Sequence, residues 1–229
     1  MIIGIAGKAG VGKDTVAQIL SKLKNMPIAS FAQPLHEAAK SVFGDDCLER
    51  NKKEKLMPFG VRGFSNFYDN WLLPFLKIDE VQSITKNDKS FLHRPFPAFT
   101  DPYTGRFYQE LSPRKFMQLL GTECFRFCKD DFFVRLMQNS YNNVIIPDVR
   151  FANEASICDL VVGIYRDVPS VNKHMSEEFA DMLIKGEDDG KVGLVDVDGK
   201  QVSYLIIHNT QGIDELEQKL QKHVDFSKI

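Results

Sequence analysis

Residues 1–20, MIIGIAGKAGVGKDTVAQIL, decide the fold. The run Ile2 to Ala6 is apolar with little alternation, so it reads as a buried strand. Gly7-Lys8-Ala9-Gly10-Val11-Gly12-Lys13 follows directly and satisfies the spacing GxxxxGK. From Asp14 to Leu23 the apolar residues Val16, Ile19, Leu20 and Leu23 recur at helical spacings. A strand, a glycine loop and a helix in immediate succession is the context in which this spacing holds phosphate. Glycines let the backbone close around an anion, several N–H groups converge on it, and the helix N-terminus adds its dipole. Gly7 to Thr15 is therefore the expected nucleotide loop, with Lys13 reaching the β and γ phosphates; the alternative is a glycine-rich turn with no ligand.

One position departs from the generic pattern. Asp14 stands where a Ser or Thr hydroxyl usually meets Mg²⁺, and Thr15 comes next. A carboxylate is a hard oxygen ligand that also suits a helix N-terminus, so Asp14 and Thr15 are both candidates for the metal. A second acidic candidate ends the apolar run Val144 to Ile146: Asp148, reached through Pro147 and followed by Arg150 and Glu154. Ligands of open α/β sheets bind at the carboxyl ends of strands, which would bring Asp148 near the glycine loop as a further Mg²⁺ ligand. The alternative is that Asp148 only caps the helix expected from Phe151 to Cys158.

Farther out, Leu160 to Tyr165 and Tyr204 to Ile207 read as buried strands, and Pro27 to Phe31 as a weaker one. Helices are expected at Pro34 to Phe43, from Ser112 as N-cap with Pro113 at the first helical position, and at the C-terminus through Ile213, Leu216, Leu220 and Val224. Gly121 can end the Ser112 helix. That helix carries Arg114, Lys115 and Gln118 opposite its Phe116, Leu119 and Leu120 stripe, with Arg126 beyond. Basic residues on a helix are also an ordinary solvated surface. Residues 51–110 lack a clear period and are rich in aromatics and prolines. They read as an irregular insert within a single domain spanning 1–229, too irregular to own a core. Asp198-Gly199 marks the turn of a surface hairpin.

Composition narrows the function further. The 229 residues carry 29 Lys plus Arg against 31 Asp plus Glu, a net charge of -2, so no basic field recruits nucleic acid or an anionic membrane. Hydrophobic residues at 43% and charged residues at 26% are ordinary for a globular chain; the 18 phenylalanines are not. Cys47, Cys124, Cys128 and Cys158 are scattered, as reduced and mostly buried thiols would be. With no secretory leader and no long apolar run, a cytoplasmic protein is expected. A homodimer stays open. Two further motifs are decoys. Thr85-Lys86-Asn87-Asp88 matches a guanine-reading element but has no DxxG before it. Asp196-Val197-Asp198-Gly199 lacks the flanking ligands of a calcium loop.

Taken together, GKAGVGKDT, SPRKFMQLLGTECFR, IIPDVRFANEA, HMSEEF and IIHNTQGIDEL make the chain similar to the deoxynucleoside monophosphate kinases of tailed bacteriophages. The resemblance covers most of the chain and is poorest over 51–110. It implies a P-loop NTPase fold of the nucleoside-monophosphate-kinase type: five parallel strands in the order 2-3-1-4-5, flanked by helices. It implies transfer of the γ-phosphoryl group of ATP, with Mg²⁺, to a deoxynucleoside monophosphate in the host-cell cytoplasm. By the same resemblance Arg114, Lys115 and Gln118 would contact the monophosphate or its base. Asp148, Arg150 and Glu154 would line the centre, and Phe133 would stack on the base. Arg126 joins the substrate set as part of the cationic cluster. Lys13, Arg150, Asp148 and Arg114 would carry catalysis. His174, Ser176 and Glu177 match a family-like segment in which Ser176 reads equally well as an N-cap. Asn209 and Thr210 fall where such kinases pass the adenine. A P-loop kinase of another phosphorylated metabolite, of the phosphomevalonate kinase type, and a nucleotide-binding regulatory module remain as alternatives.

Overall fold

A computed structural model describes residues 1–8, 10–86, 88–166, 178–184, 187–210 and 212–223. Two compact units result, one from Met1–Phe31 with Tyr141–Ile229, the other from Ala32–Ser140. Among the described residues no helix is long and apolar enough to cross a membrane.

The first unit is built on a five-stranded sheet of β1 (Ile2–Gly7), β2 (Val144–Ile146), β3 (Leu160–Tyr165), β4 (Val192–Val197) and β5 (Lys200–His208), ordered β2-β1-β3-β5-β4. β2, β1, β3 and β5 run parallel, whereas β4 pairs antiparallel with β5. Five parallel strands in the order 2-3-1-4-5 are thus corrected on two counts. Pro27 to Phe31 makes only the single bridge Ile28 to Ile145, and the fifth strand is a hairpin arm. The hairpin turns at Asp198 and Gly199, whose φ of 51° and 79° are the two left-handed residues a two-residue type I′ turn demands.

Strands buried on both faces need a continuous apolar run, and β1 to β3 have one. Ile3, Ile5, Ile145, Val162 and Ile164 pack with Val16 and Leu20 of the helix Lys13–Lys24 and with Leu216 and Leu220 of the helix Ile213–His223 in one aliphatic core. Burying each such side chain contributes about 1.5–3 kcal/mol. Val224, expected on the last helix, lies outside the described residues. The mostly parallel sheet flanked by helices fits the architecture of a P-loop kinase.

The second unit has a core of a different kind. All but four of the 18 phenylalanines (Phe31, Phe151, Phe179 and Phe226) lie within it. Phe43, Phe59, Phe67, Phe99 and Phe116 interlock at centroid separations of 5.1 to 6.3 Å. Phe125 stacks on Phe132 at 4.5 Å. Residues 51–110 are therefore not a coreless insert: Phe59, Phe64, Phe67, Phe75, Phe91 and Phe99 are buried contributors to this core.

Ser112 caps its helix as expected, its Oγ accepting from the Lys115 N–H at 3.2 Å. The helix does not stop at Gly121. Pro113–Gln118 continues into a wider π-helical segment, Leu119–Arg126, and Gly121 lies inside it. A Cβ there would come within 2.9 Å of Leu35 Cδ1, so the glycine serves close packing against the helix Gln33–Phe43.

Candidate functional site

In the first unit the parallel strands bring their carboxyl ends to one edge. β1 runs into the glycine loop, β2 into Pro147-Asp148, and β5 into Asn209. Gly12 (φ 102°) leads into the helix Lys13–Lys24, with Asp14 exposed in its first turn and Thr15 half-buried. Lys13 lies back along the loop, its Nζ donating to Gly7 O and Lys8 O at 2.8 Å each. The Lys8 ammonium is 2.9 Å from Asp181, on the helix Glu178–Ile184. Ala9, assigned to the loop, lies outside the described residues, as do His174, Ser176 and Glu177.

Asp148 stands beside β1 because the chain beyond β2 keeps its register there: Val149 N–H donates to Ile5 O at 3.2 Å. Its carboxylate accepts from Ser30 Oγ at 2.6 Å. Ser30 arrives through the stretch whose Ala29 N–H donates to Ile145 O at 3.0 Å. Sequence reasoning missed Ser30; its position at the end of the weak run Pro27 to Phe31 was the available signal. Asp148, Asp14 and Thr15 are hard oxygen donors. Oxygen donors of this kind are the ones Mg²⁺ takes, alongside waters and phosphate oxygens.

Arg150 is exposed, two residues beyond Asp148. Glu154 is 2% exposed and turns inward: its Oε2 accepts the backbone N–H groups of Arg150 at 2.9 Å and Phe151 at 3.3 Å. Glu154 thus shapes the turn that presents Arg150.

The remaining sequence candidates belong to the second unit. Arg114, Lys115 and Gln118 share the exposed face of the Ser112-capped helix. Arg114 pairs with Glu54 and donates its backbone N–H to Lys53 O at 3.0 Å, which sets the basic run 52–55 against the helix start. Arg126 lies farther along the same helix, twelve residues beyond Arg114 and eight beyond Gln118, about 15–18 Å and 9–12 Å respectively. Its guanidinium lies 5.6 Å from the Phe133 ring and lines an open cleft of about 590 Å³ with Lys86, Phe127 and Lys129. Phe133 is 4% exposed and packs edge-on against Phe125 and Phe132, a core position rather than a stacking platform.

Asn209, expected where such kinases pass the adenine, meets the glycine loop. Its Nδ2 donates to Val11 O at 2.8 Å, and its backbone N–H donates to Tyr165 O at 2.8 Å. Its position just beyond the last parallel strand was the sequence signal, but the partner was invisible.

No family model matches the chain. It is similar to the deoxynucleoside-5'-monophosphate kinase of Escherichia phage T5, at 24% identity over 259 aligned positions that take in 98% of this chain and 96% of that protein. That likeness, running the length of both chains, supports a distant relationship to a nucleotide kinase.

Proposed function

We propose that the protein is an ATP-dependent deoxynucleoside monophosphate kinase, yielding ADP and a deoxynucleoside diphosphate. The observation that carries this reading is the strand-loop-helix of residues 2–24, with Lys13 along the loop and Asp148 at the end of the neighbouring strand. The full-length likeness to a phage kinase supports the choice of acceptor.

The attacking group, a phosphate oxygen, is already ionised at neutral pH, so no nucleophile has to be activated. Catalysis is then positioning plus positive charge where the transferring group becomes more anionic. Loop amides and Lys13 would hold the ATP phosphates, and Lys13 would move from the Gly7 and Lys8 carbonyls to the β and γ oxygens. Asp148 with Asp14 or Thr15 would hold Mg²⁺, which when bound would supply Lewis-acid neutralisation of phosphate charge. Ser30 would orient the Asp148 carboxylate, and Arg150, held by Glu154, would stabilise the transferring group. Arg114, Lys115 and Gln118 would bind the acceptor monophosphate, with Arg114 exchanging Glu54 for phosphate.

Coupled ADP release with each of the four common deoxynucleoside monophosphates tests the assignment. Turnover with at least one is expected; none with any of them, or turnover with phosphomevalonate alone, would overturn it. Arg114→Ala should raise the acceptor KM about tenfold while leaving the KM for ATP within about twofold.

A further inference from the structure

We propose that Asn209 is a positioning residue for the glycine loop, clamping the Val11 carbonyl so that the Gly12 N–H faces the bound phosphates. The inference rests on the reading of that loop as the ATP site. A loop that holds an anion must turn its N–H groups toward it and its carbonyl oxygens away. A trans peptide is planar, with C=O and N–H pointing in opposite directions. Holding the Val11 oxygen at 2.8 Å therefore fixes the direction of the Gly12 N–H. Gly12 leaves room for the clamp: a Cβ there would sit 2.7 Å from Asn209 Nδ2.

The clamp is itself fastened. Both backbone groups of the preceding residue are held, His208 N–H by Asp189 Oδ1 and His208 O by Lys219 Nζ, each at 2.9 Å. Lys219 also pairs with Asp189 at 2.8 Å and Glu215 at 2.9 Å. The turn before β4 and the helix Ile213–His223 thus anchor the strand end from which Asn209 reaches a loop 198 residues earlier in the chain.

Asn209→Asp keeps the shape, removes the donor and sets a carboxylate against the Val11 oxygen; Asn209→Ala removes the side chain. Amide hydrogen exchange of nucleotide-free protein should quicken at residues 10–13 in both, with the thermal midpoint close to wild type. The KM for ATP should rise about tenfold, and that for the acceptor by less than about twofold. Lys219→Met should act in the same direction, by about threefold. Wild-type exchange at 10–13 together with wild-type KM for ATP would overturn the proposal. So would faster exchange spread through β5 with a lowered midpoint in the Asn209 variants, which marks a plain structural residue. The exchange experiment needs no substrate. Wild-type protein that turns over no acceptor would therefore refute the proposed activity while leaving the clamp to be decided by exchange.

Discussion

The two units solve the burial problem with different side chains. The first packs Ile, Val and Leu from strands and helices into an aliphatic core, whereas the second packs interlocking phenylalanine rings. Branched aliphatics on parallel strands are held by a repeating backbone, which puts every carboxyl end at a set place along one edge. Aromatic rings fill space between short helices with less help from regular pairing. The first arrangement suits a site that must hold backbone N–H groups in fixed directions. The second carries Arg114, Lys115 and Gln118 on an exposed helix face opposite the buried Phe116.

The largest expected effect separates chemistry from packing. Lys13→Met should lower turnover about a thousandfold with an unchanged far-UV circular dichroism spectrum, measured by ADP release. Near-wild-type turnover would remove the glycine loop from the reaction. Next, Phe116→Ala deletes ring contacts to Phe43, Phe59, Phe67 and Phe99 and should cost about 3–5 kcal/mol in urea unfolding. A loss below about 1 kcal/mol would mean that the aromatic core repacks freely.

Glycine-to-alanine changes sharpen the contrast at smaller scale. In Gly4→Ala the new Cβ would meet Cys158 Sγ and Val149 Cγ2, both at 2.7 Å, in the sheet core. A destabilisation of about 1–3 kcal/mol is expected. In Gly121→Ala it meets the end of the half-buried Leu35 side chain, which can turn aside, so the loss should be smaller. The reverse order in thermal melts would show the aromatic unit to be the stiffer one.

The Asp189–Lys219 pair gives a pH signature confined to the first unit. Burial works to raise the Asp189 carboxyl, but the His208 N–H and Lys219 outweigh it and hold the group below its ordinary range. Burial likewise opposes the Lys219 charge, and Asp189 and Glu215 outweigh it, so its value is raised. The Asp189 contribution is complete above about pH 4 and lost as pH falls through the lowered value. The Lys219 contribution is complete below about pH 10 and lost as pH rises through the raised value. Lys219→Met should therefore lower the thermal midpoint by a few degrees between about pH 5 and 9 and by less at either extreme. The smallest effect concerns thiols. Burial drives Cys124 far up and Cys158 to about 12, Cys47 is buried, and Cys128 alone of the four is partly exposed. About one thiol per chain should react with a disulfide reagent before unfolding.

Local signals were legible. β1, the glycine loop and the helix after it form a contiguous stretch whose composition and period declare each element, and Ser112-Pro113 announces its helix start by cap chemistry. Gly121 misled because a glycine that ends a helix and one that admits a neighbouring Leu35 are the same letter. The turn of the β4-β5 hairpin was legible, but that β4 is a strand of the main sheet was not, because Val192–Val197 is an edge strand, exposed at alternate positions, within an acidic stretch. The aromatic core went unread because its rings recur at no single period.

The amino-acid order by itself determined β1, the helix after it, β2, β3 and part of β5 in the sheet unit, and that a glycine loop stands between the first strand and helix. Those outcomes depend on neighbours a few residues apart. Only the tertiary structure decided that Glu154 serves a backbone turn, that Ser30 meets Asp148, that Phe133 is core and that Asn209 grips Val11. Each depends on a hydrogen bond or packing contact set by where the strands and helices lie in space, between residues whose types alone name no partner.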